Sequence, residues 1–275
     1  MSCILLIGGF IAFLFGPALW EKSGGSRSDL PGFFNDKWST NDDKNFNGNY
    51  SRWKSEGSGL NLTIVNALTS NWDTNFNKAI SSWNETDALF LKTTIDYSPN
   101  CDIEPGIIKV CNDFFGHTGW TGLNEVYFVG GYIVKSVAKM NESYLKDSSD
   151  GEKQYVMCHE IGHGLGLPHR DESAINKDLG SCLDYTMNQE DNQSPDDIDF
   201  KNLIALYGTK YRKGSRNLSS KQVENNINTI LRQAQQAKDP TYKDGTRLYA
   251  SKNIEVYEHI LHNDVTILTS LLLKK

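Results

Sequence analysis

The chain has 275 residues, of which 38% are hydrophobic and 23% are charged, and its formal net charge is −6. That length leaves room for one principal domain once a leader and a tail are subtracted. Lysine and arginine are neither in excess nor gathered into a stripe, which argues against a phosphate-binding surface. We therefore expect no nucleic-acid partner.

The chain opens with an apolar run at residues 3–20, which is followed by the polar sequence EKSGGSRS. Such a run predicts a secretory signal peptide in residues 1–20, and hence a secreted protein. Because no basic residue precedes the run and no clear cleavage site follows it, the alternative is a signal anchor that stays uncleaved. Only in that anchored form do we expect contact with a membrane.

Sites for N-glycosylation also favour export, although an asparagine-rich chain gains some of them by chance. The N-x-[ST] sequences begin at Asn49, Asn61, Asn84, Asn141, Asn192 and Asn217.

The predicted elements begin after residues 21–58, which are rich in Gly, Ser, Asn and Asp and predict a flexible linker or a short pro-segment. Apolar residues at helical spacing from Trp72 to Trp83 predict an amphipathic helix. Strands are predicted at LNLTIV, ALFLKTTI, GIIKVC, EVYFV and YIVKSVAKM, which together suggest a sheet of about five strands.

Two further helices have recognisable ends. One should run from about Gln154 to the glycines at 164 and 166. The next should begin at Ser194 as N-cap, with Pro195 in its first turn, and end at Gly208. We place the principal domain at residues 59–212.

The remainder, residues 213–275, is predicted to form a C-terminal extension without a function that the sequence indicates. An amphipathic helix should start at about Ser220. The segments IEVYEHIL and VTILTSLLL, which flank His262-Asn263-Asp264, predict a β-hairpin.

The most informative stretch is HEIGHGLGLPHRD. His159 and His163 are four residues apart on a helix, so both imidazoles project from one face and can bind one ion. His169 can supply a third ligand if the chain turns sharply, which Gly166 permits because glycine tolerates positive φ. Glu160 lies beside the metal without being needed as a ligand, where a general base belongs.

These residues predict one catalytic zinc ion held by three histidines, with a fourth position left open. Zinc lowers the pKa of water, Glu160 takes the proton, and the resulting hydroxide attacks a peptide carbonyl. The expected activity is therefore that of a zinc-dependent endopeptidase acting on a peptide or protein.

The full pattern HExxHxxGxxH resembles the signature of the metzincin zinc peptidases, such as the matrixin and astacin families. The resemblance covers roughly residues 60–211. It implies an α+β fold with a twisted mixed sheet, two main helices, a zinc cleft and a small C-terminal subdomain that holds a third helix. It also supports His159, His163 and His169 as ligands and Glu160 as the general base; we expect a monomer.

Metzincins carry a tight turn under the zinc whose methionine forms an apolar floor. The best match here is Ser181-Cys182-Leu183-Asp184-Tyr185, in which Leu183 replaces the methionine; Met187 is a second candidate. Tyr185 matches a tyrosine that stabilises the oxyanion in some members, although an ordinary half-buried aromatic residue is an equal alternative. Asp171 resembles an acidic residue that supports the loop after the third histidine.

Four cysteines follow the leader, which suits two disulfides, although three pairings are possible and free thiols are an alternative. We favour Cys101–Cys111 and Cys158–Cys182, because the second bridge would tie the histidine helix to the turn beneath it.

Three interpretations remain open at this point. The strand YIVKSVAKM is either the sheet edge on which a substrate lies extended or an ordinary inner strand. His117 fits a surface histidine better than a second metal site. The alternative to a peptidase is a catalytically inactive binding or adhesion protein of the same fold, which Leu183 alone encourages.

Overall fold

The computed structural model describes residues 52–55, 57–96, 100–102, 104–129, 131–170, 175–209, 244–250, 253–261 and 265–274. The predicted leader, most of the predicted linker, Asp171 and the predicted helix near Ser220 lie outside these residues. Within them, no helix is long and apolar enough to cross a membrane.

The described residues form a mixed α+β structure with one large sheet and few helices. The strands are β1 (Arg52–Trp53), β2 (Leu60–Ala67), β3 (Leu89–Ile95), β4 (Ile107–Asp113), β5 (Trp120–Val129), β6 (Tyr132–Asn141), β7 (Thr246–Ala250), β8 (Ile254–Ile260) and β9 (Val265–Leu273). The α-helices are α1 (Asp73–Trp83), α2 (Glu142–Leu145), α3 (Asp150–Gly164) and α4 (Asp197–Tyr207), and short 3-10 turns lie at Ser70–Trp72 and Gln189–Asp191.

The strands follow the order β3, β2, β4, β6, β5, β9, β8, β7, and β1 pairs with the start of β6. The first part, from β3 to β6, is parallel, whereas β5, β9, β8 and β7 alternate in direction. The sheet therefore consists of a parallel half, which needs helical crossovers, and an antiparallel half.

Apolar spacing explains how α1 packs. Trp72, Phe76, Ala79, Ile80 and Trp83 are all buried, as their helical spacing predicts. The Trp83 indole donates to the carbonyl of Cys158 in α3, so the first helix supports the helix that carries the histidines.

The prediction of about five strands was too low, since the described residues contain nine. All five predicted strands are present. The additional ones are the two-residue β1 and the C-terminal strands, of which β8 and β9 are the predicted hairpin. These strands lie in the same sheet as the strands of the predicted catalytic domain. The pairing of β9 with β5 joins residues more than a hundred positions apart, which a sequence pattern does not reveal.

Strand β5 begins five residues before the predicted segment EVYFV. Gly122 and Asn124, which lie in this earlier part, are poor strand formers. The prediction from β-propensity therefore placed the start of the strand too far along the chain. The interpretation of YIVKSVAKM as a sheet edge was wrong, because β6 lies between β4 and β5.

The helix α4 begins later than predicted. Its N-cap is Asp196, not Ser194, and the Asp196 carboxylate accepts from the backbone N–H groups of Ile198 and Asp199. Asp199 in turn accepts from the N–H of Asp196, which completes a capping box. An aspartate at position 196 reaches the first free N–H groups of the helix. Ser194 lies two residues further from them.

A short N-terminal segment is fixed to the end of α3, although it falls inside the predicted linker. Trp53 is buried, and its indole donates to the carbonyl of Gly164 at 2.8 Å. The Tyr207 hydroxyl accepts from the backbone N–H of Trp53 and donates to the carbonyl of Leu165 at 2.6 Å. Residues from β1, α3 and α4 therefore meet at one point.

Both favoured disulfides are present, Cys101–Cys111 and Cys158–Cys182. The predicted glycosylation sites are not equivalent. Asn61 and Asn84 are exposed, whereas Asn141 and Asn192 are fully buried and hydrogen-bonded, which is incompatible with a glycan in the folded protein.

Candidate metal centre

Helix α3 positions three of the predicted site residues. It begins earlier than predicted, at Asp150, because Ser149 caps it by accepting from the N–H of Glu152. It ends in a Schellman turn: the N–H of Gly166 donates to the carbonyl of His163, and that of Leu167 to the carbonyl of Gly162. Gly166 has φ of 93°, as the predicted sharp turn requires.

The turn brings His169 back to the face of α3 that carries His159 and His163. The Nε2 atoms of His159 and His169 are 3.1 Å apart, those of His163 and His159 3.1 Å, and those of His163 and His169 3.0 Å. All three side chains are buried. They form a three-member group that could hold a metal ion.

Hydrogen bonds fix which ring nitrogens face one another. The Nδ1 of His159 lies 2.7 Å from the carbonyl of Cys182, and the Nδ1 of His163 lies 2.8 Å from the carbonyl of Leu167. A carbonyl only accepts, so both Nδ1 atoms carry the proton and both Nε2 atoms present lone pairs. The short distance between the Nε2 atoms of His159 and His163 is therefore a contact between two lone pairs and not a hydrogen bond.

This donor set fits zinc. A four-coordinate zinc ion with bonds of ~2.0–2.1 Å to histidine nitrogens holds those nitrogens ~3.3 Å apart, close to the observed separations. Burial lowers the pKa of His163 to about 4. Burial and the neighbouring imidazoles hold the pKa values of His159 and His169 well below their usual range. Neutral imidazoles are the form that binds a metal.

Glu160 is fully buried beside this group. Neither carboxylate oxygen has a hydrogen-bond partner among the described residues, and burial raises the pKa of the carboxyl well above its usual range. A buried polar group without a partner is costly, so it indicates a ligand or a function. Gly122 in β5 leaves room for it, since a Cβ there would lie 2.3 Å from the Glu160 Oε1.

The predicted turn forms an apolar floor under α3. Leu183 is fully buried, and it packs so closely on Gly162 that a Cβ at the glycine would lie 2.9 Å from a leucine methyl carbon. Cys182 supplies both the carbonyl that accepts from His159 and the disulfide to Cys158. The predicted alternative, Met187, is exposed.

A buried ion pair supports the loop around His169. The Arg170 guanidinium pairs with Asp196 at 2.8 Å and with Asp199 at 3.2 Å. The backbone N–H of Arg170 donates to the carbonyl of Leu183. The Asp199 carboxylate also accepts from the hydroxyl of Ser181. Burial raises the pKa of Asp199 to about 6. The network ties the third histidine, the floor and α4 together.

Tyr185 is buried next to the candidate site. Burial, with a smaller effect of the Glu160 charge, raises the pKa of its phenol. The hydroxyl donates to the carbonyl of Asn253 at 2.6 Å, so in this structure it is directed at the C-terminal segment.

One contributor escaped the sequence pattern. The side-chain amide of Asn124 in β5 donates to the backbone carbonyl of Glu160 at 2.8 Å and its oxygen accepts from Ser136. In the sequence, the only sign of this role is that Asn124 is a polar residue directly after Leu123 within a predominantly buried strand. His117 is exposed and belongs to no metal-binding group among the residues described, as a surface histidine should.

No protein-family model matches the chain, and no curated protein matches its sequence. Among solved structures, a similar one is High choriolytic enzyme 1, a hatching-enzyme zinc protease from the medaka fish Oryzias latipes. The two share 12% sequence identity with a TM-score of 0.33, and the match covers 58% of this chain and 95% of the other. A similarity of that size carries no argument about function, which is therefore inferred from the chain's own site.

Proposed function

We propose that the protein is a zinc-dependent endopeptidase. The observation that carries the proposal is the convergence of three histidine Nε2 atoms, at 3.0–3.1 Å, beside the buried and partnerless carboxylate of Glu160. His159, His163 and His169 would hold one zinc ion. The substrate is a peptide or a protein.

Zinc, when bound, supplies a Lewis acid that polarises a peptide carbonyl and makes water more acidic. Glu160 would accept the proton of the attacking water and pass it to the leaving amine, since both of its carboxylate oxygens are buried without a hydrogen-bond partner among the described residues. Tyr185 donates its hydroxyl to the negative charge that develops on the carbonyl oxygen. To do so it must give up its hydrogen bond to Asn253.

The proposal includes export, with a leader in residues 1–20, a catalytic domain at residues 59–212 and a monomeric state. Two disulfides suit an oxidising compartment. Asn61 and Asn84, which are exposed, are the described sites at which a glycan fits.

A catalytically inactive binding protein is the alternative function. Leu183 in place of methionine favours it, but leucine fills the same floor at similar volume and is fully buried there. The complete ligand set and Glu160 favour the enzyme.

Cleavage of a protein substrate in gels, with and without a chelator, tests the proposal together with the variant Glu160→Gln. We expect one zinc per chain in both proteins, and a turnover in the variant that is lower by about 10²–10⁴-fold, because the general base is lost. The matched control is Glu85→Gln, which removes an exposed carboxylate at the end of α1 and should leave cleavage unchanged.

The proposal fails if zinc is bound at one per chain and no protein is cleaved. The result must hold for the intact chain and also for the variant Leu271→Ala. That substitution loosens strand β9, which pairs with β5 beside the candidate site.

A further inference from the structure

The antiparallel strand closest to the candidate site does not have a free edge. Strand β5 pairs with β6 on one side and, along its whole length, with β9 on the other, from Trp120 opposite Leu273 to Val129 opposite Val265. An unpaired strand edge is the place where an extended peptide binds by strand addition. Here the chain's own C-terminal strand holds that position.

The register aligns this strand with the catalytic carboxylate. Gly122 in β5 lies against the side-chain carboxylate of Glu160, and its partner across the ladder is Leu272. The carbonyl of Leu272 accepts from the hydroxyl of Thr121. The backbone of β9 therefore passes next to β5 at the level of Glu160.

The same segment blocks the predicted oxyanion residue. The carbonyl of Asn253, immediately before β8, accepts from the Tyr185 hydroxyl at 2.6 Å and from the N–H of Leu273 at 2.8 Å. Leu272 and Leu273 line a small, partly open pocket together with Tyr155 and Tyr185. Tyr185 cannot serve a substrate while this arrangement persists.

The segment is anchored from outside the site. Leu271 packs with Trp120 and Leu123, and Ile267 packs with Tyr127 and Val134, in two separate clusters. At the end of the chain, the Lys274 ammonium lies 3.6 Å from a Glu152 carboxylate oxygen in α3, and its backbone N–H donates to the carbonyl of Gly119.

We propose that the C-terminal hairpin, strands β8 and β9, is an autoinhibitory element that occupies the peptide-binding edge of β5. The inference rests on the proposed peptidase function. A strand attached to the same chain competes at an effective concentration in the millimolar range, so it excludes most peptide substrates until it is displaced. Displacement exposes the β5 edge and releases Tyr185 from Asn253 at the same time.

Binding of a labelled peptide with the sequence of residues 265–273 tests the proposal separately from catalysis. The binding is measured on zinc-loaded full-length chains that carry Glu160→Gln, so that the peptide is not cleaved. Leu271→Ala is the loosening variant, because Leu271 anchors β9 without contacting the site. Leu62→Ala in β2, an equally buried leucine in a distant strand, is the matched control.

We expect Leu271→Ala to bind the peptide at least about tenfold more tightly than the parent chain and Leu62→Ala to bind it like the parent. Hydrogen exchange of the β9 amides verifies that the strand has been loosened. Equal affinities in parent and loosened chains overturn the proposal. If Leu271→Ala does not fold, Thr269→Pro replaces it, because proline removes a backbone donor from β9 without emptying the core.

The same proteins with Glu160 restored distinguish the two proposals. Tighter peptide binding after loosening, without cleavage of any substrate, supports autoinhibition of a binding site and rejects the peptidase. Cleavage that is equal before and after loosening supports the peptidase and rejects autoinhibition. An increase of at least about tenfold in kcat/KM for Leu271→Ala supports both.

Discussion

At the scale of single residues, the proposed function gives Tyr185 two competing hydrogen-bond partners. In this structure it donates to Asn253, whereas catalysis would require it to donate to a substrate oxygen. Under the proposed function, the phenol is a stabilising contact while it is bonded to Asn253 and a catalytic group once it is released. The effect of a substitution at Tyr185 on stability and its effect on turnover must therefore be measured separately.

Tyr185→Phe should lower kcat by about 10²-fold when β9 is already loosened by Leu271→Ala, because a donor to the developing oxyanion is lost. Peptide turnover in that background measures the catalytic role alone. Tyr207→Phe removes another buried hydroxyl bonded to a carbonyl, and it should cost about 1 kcal/mol of stability without a comparable loss of kcat. Unchanged turnover in the Tyr185 variant would identify that residue as a packing aromatic.

The grouping of the three histidines could be predicted from the sequence because they lie close together along the chain. His159, Glu160, His163 and His169 lie within eleven positions, so helical spacing and one glycine turn bring them together. Their supporting contacts come from elsewhere. Asn124, which bonds to Glu160, belongs to a distant strand. Cys182 contacts His159 through its backbone carbonyl, and a contact of that kind cannot be predicted from the types of side chain in the sequence.

At the scale of elements, the packing of the turn on α3 depends on a glycine in the helix. Gly162 lies between Trp83 and Leu183, and a Cβ there would approach them to 2.8 and 2.9 Å. Separations below about 3 Å require one neighbour to move, and both are buried. The pairing of Gly162 with Leu183 thus fixes the distance between the helix and its floor.

Gly162→Ala should therefore destabilise the fold by about 1–3 kcal/mol, even though alanine is the better helix former. Chemical denaturation measures the change. For Gly151→Ala, in the first turn of the same helix, the atoms nearest to the added Cβ belong to the carboxylate of Glu190, the far end of a flexible side chain, so this variant should be neutral or slightly stabilising. A destabilisation as large at Gly151 as at Gly162 would argue against the packing explanation.

Elements with strong local signals were predicted from sequence, and those with weak signals were not. The apolar period of α1, the glycines that end α3 and the β-branched and aromatic runs of β2 to β6 predicted these elements, although not the directions of the strands. Strand β1 has two residues, and β5 starts with a glycine-containing segment, so neither start was visible.

At the scale of the whole molecule, the three imidazoles converge only in the folded chain. They come from α3 and from the loop beyond it, and the floor that orients His159 follows a further thirteen residues after His169. Zinc should therefore bind the native state in preference to the unfolded state, which couples its affinity to stability.

Zinc at a hundred times its dissociation constant should raise the free energy of unfolding by about 2.7 kcal/mol, and a chelator should reverse the gain. Thermal unfolding with and without zinc provides the measurement. His169→Ala should remove most of the gain, whereas His117→Ala, at an exposed position, should keep it. Stabilisation that survives in His169→Ala would place the metal elsewhere.

The arrangement of the whole sheet was the least predictable property. The C-terminal hairpin was visible as two strands, but its pairing with β5 was not, because register between distant segments depends on which apolar faces meet. Leu271 and Ile267 provide those faces, on the side of the sheet away from Asn124.

The position of Trp53 sets a limit on how the N-terminal part of the chain could be processed. Its indole donates to the carbonyl of Gly164, the residue after His163, and its backbone N–H donates to the hydroxyl of Tyr207. A maturation cut before Arg52 would leave this clamp in place. A cut at the composition boundary near residue 58 would remove Trp53 and, with it, both of these hydrogen bonds.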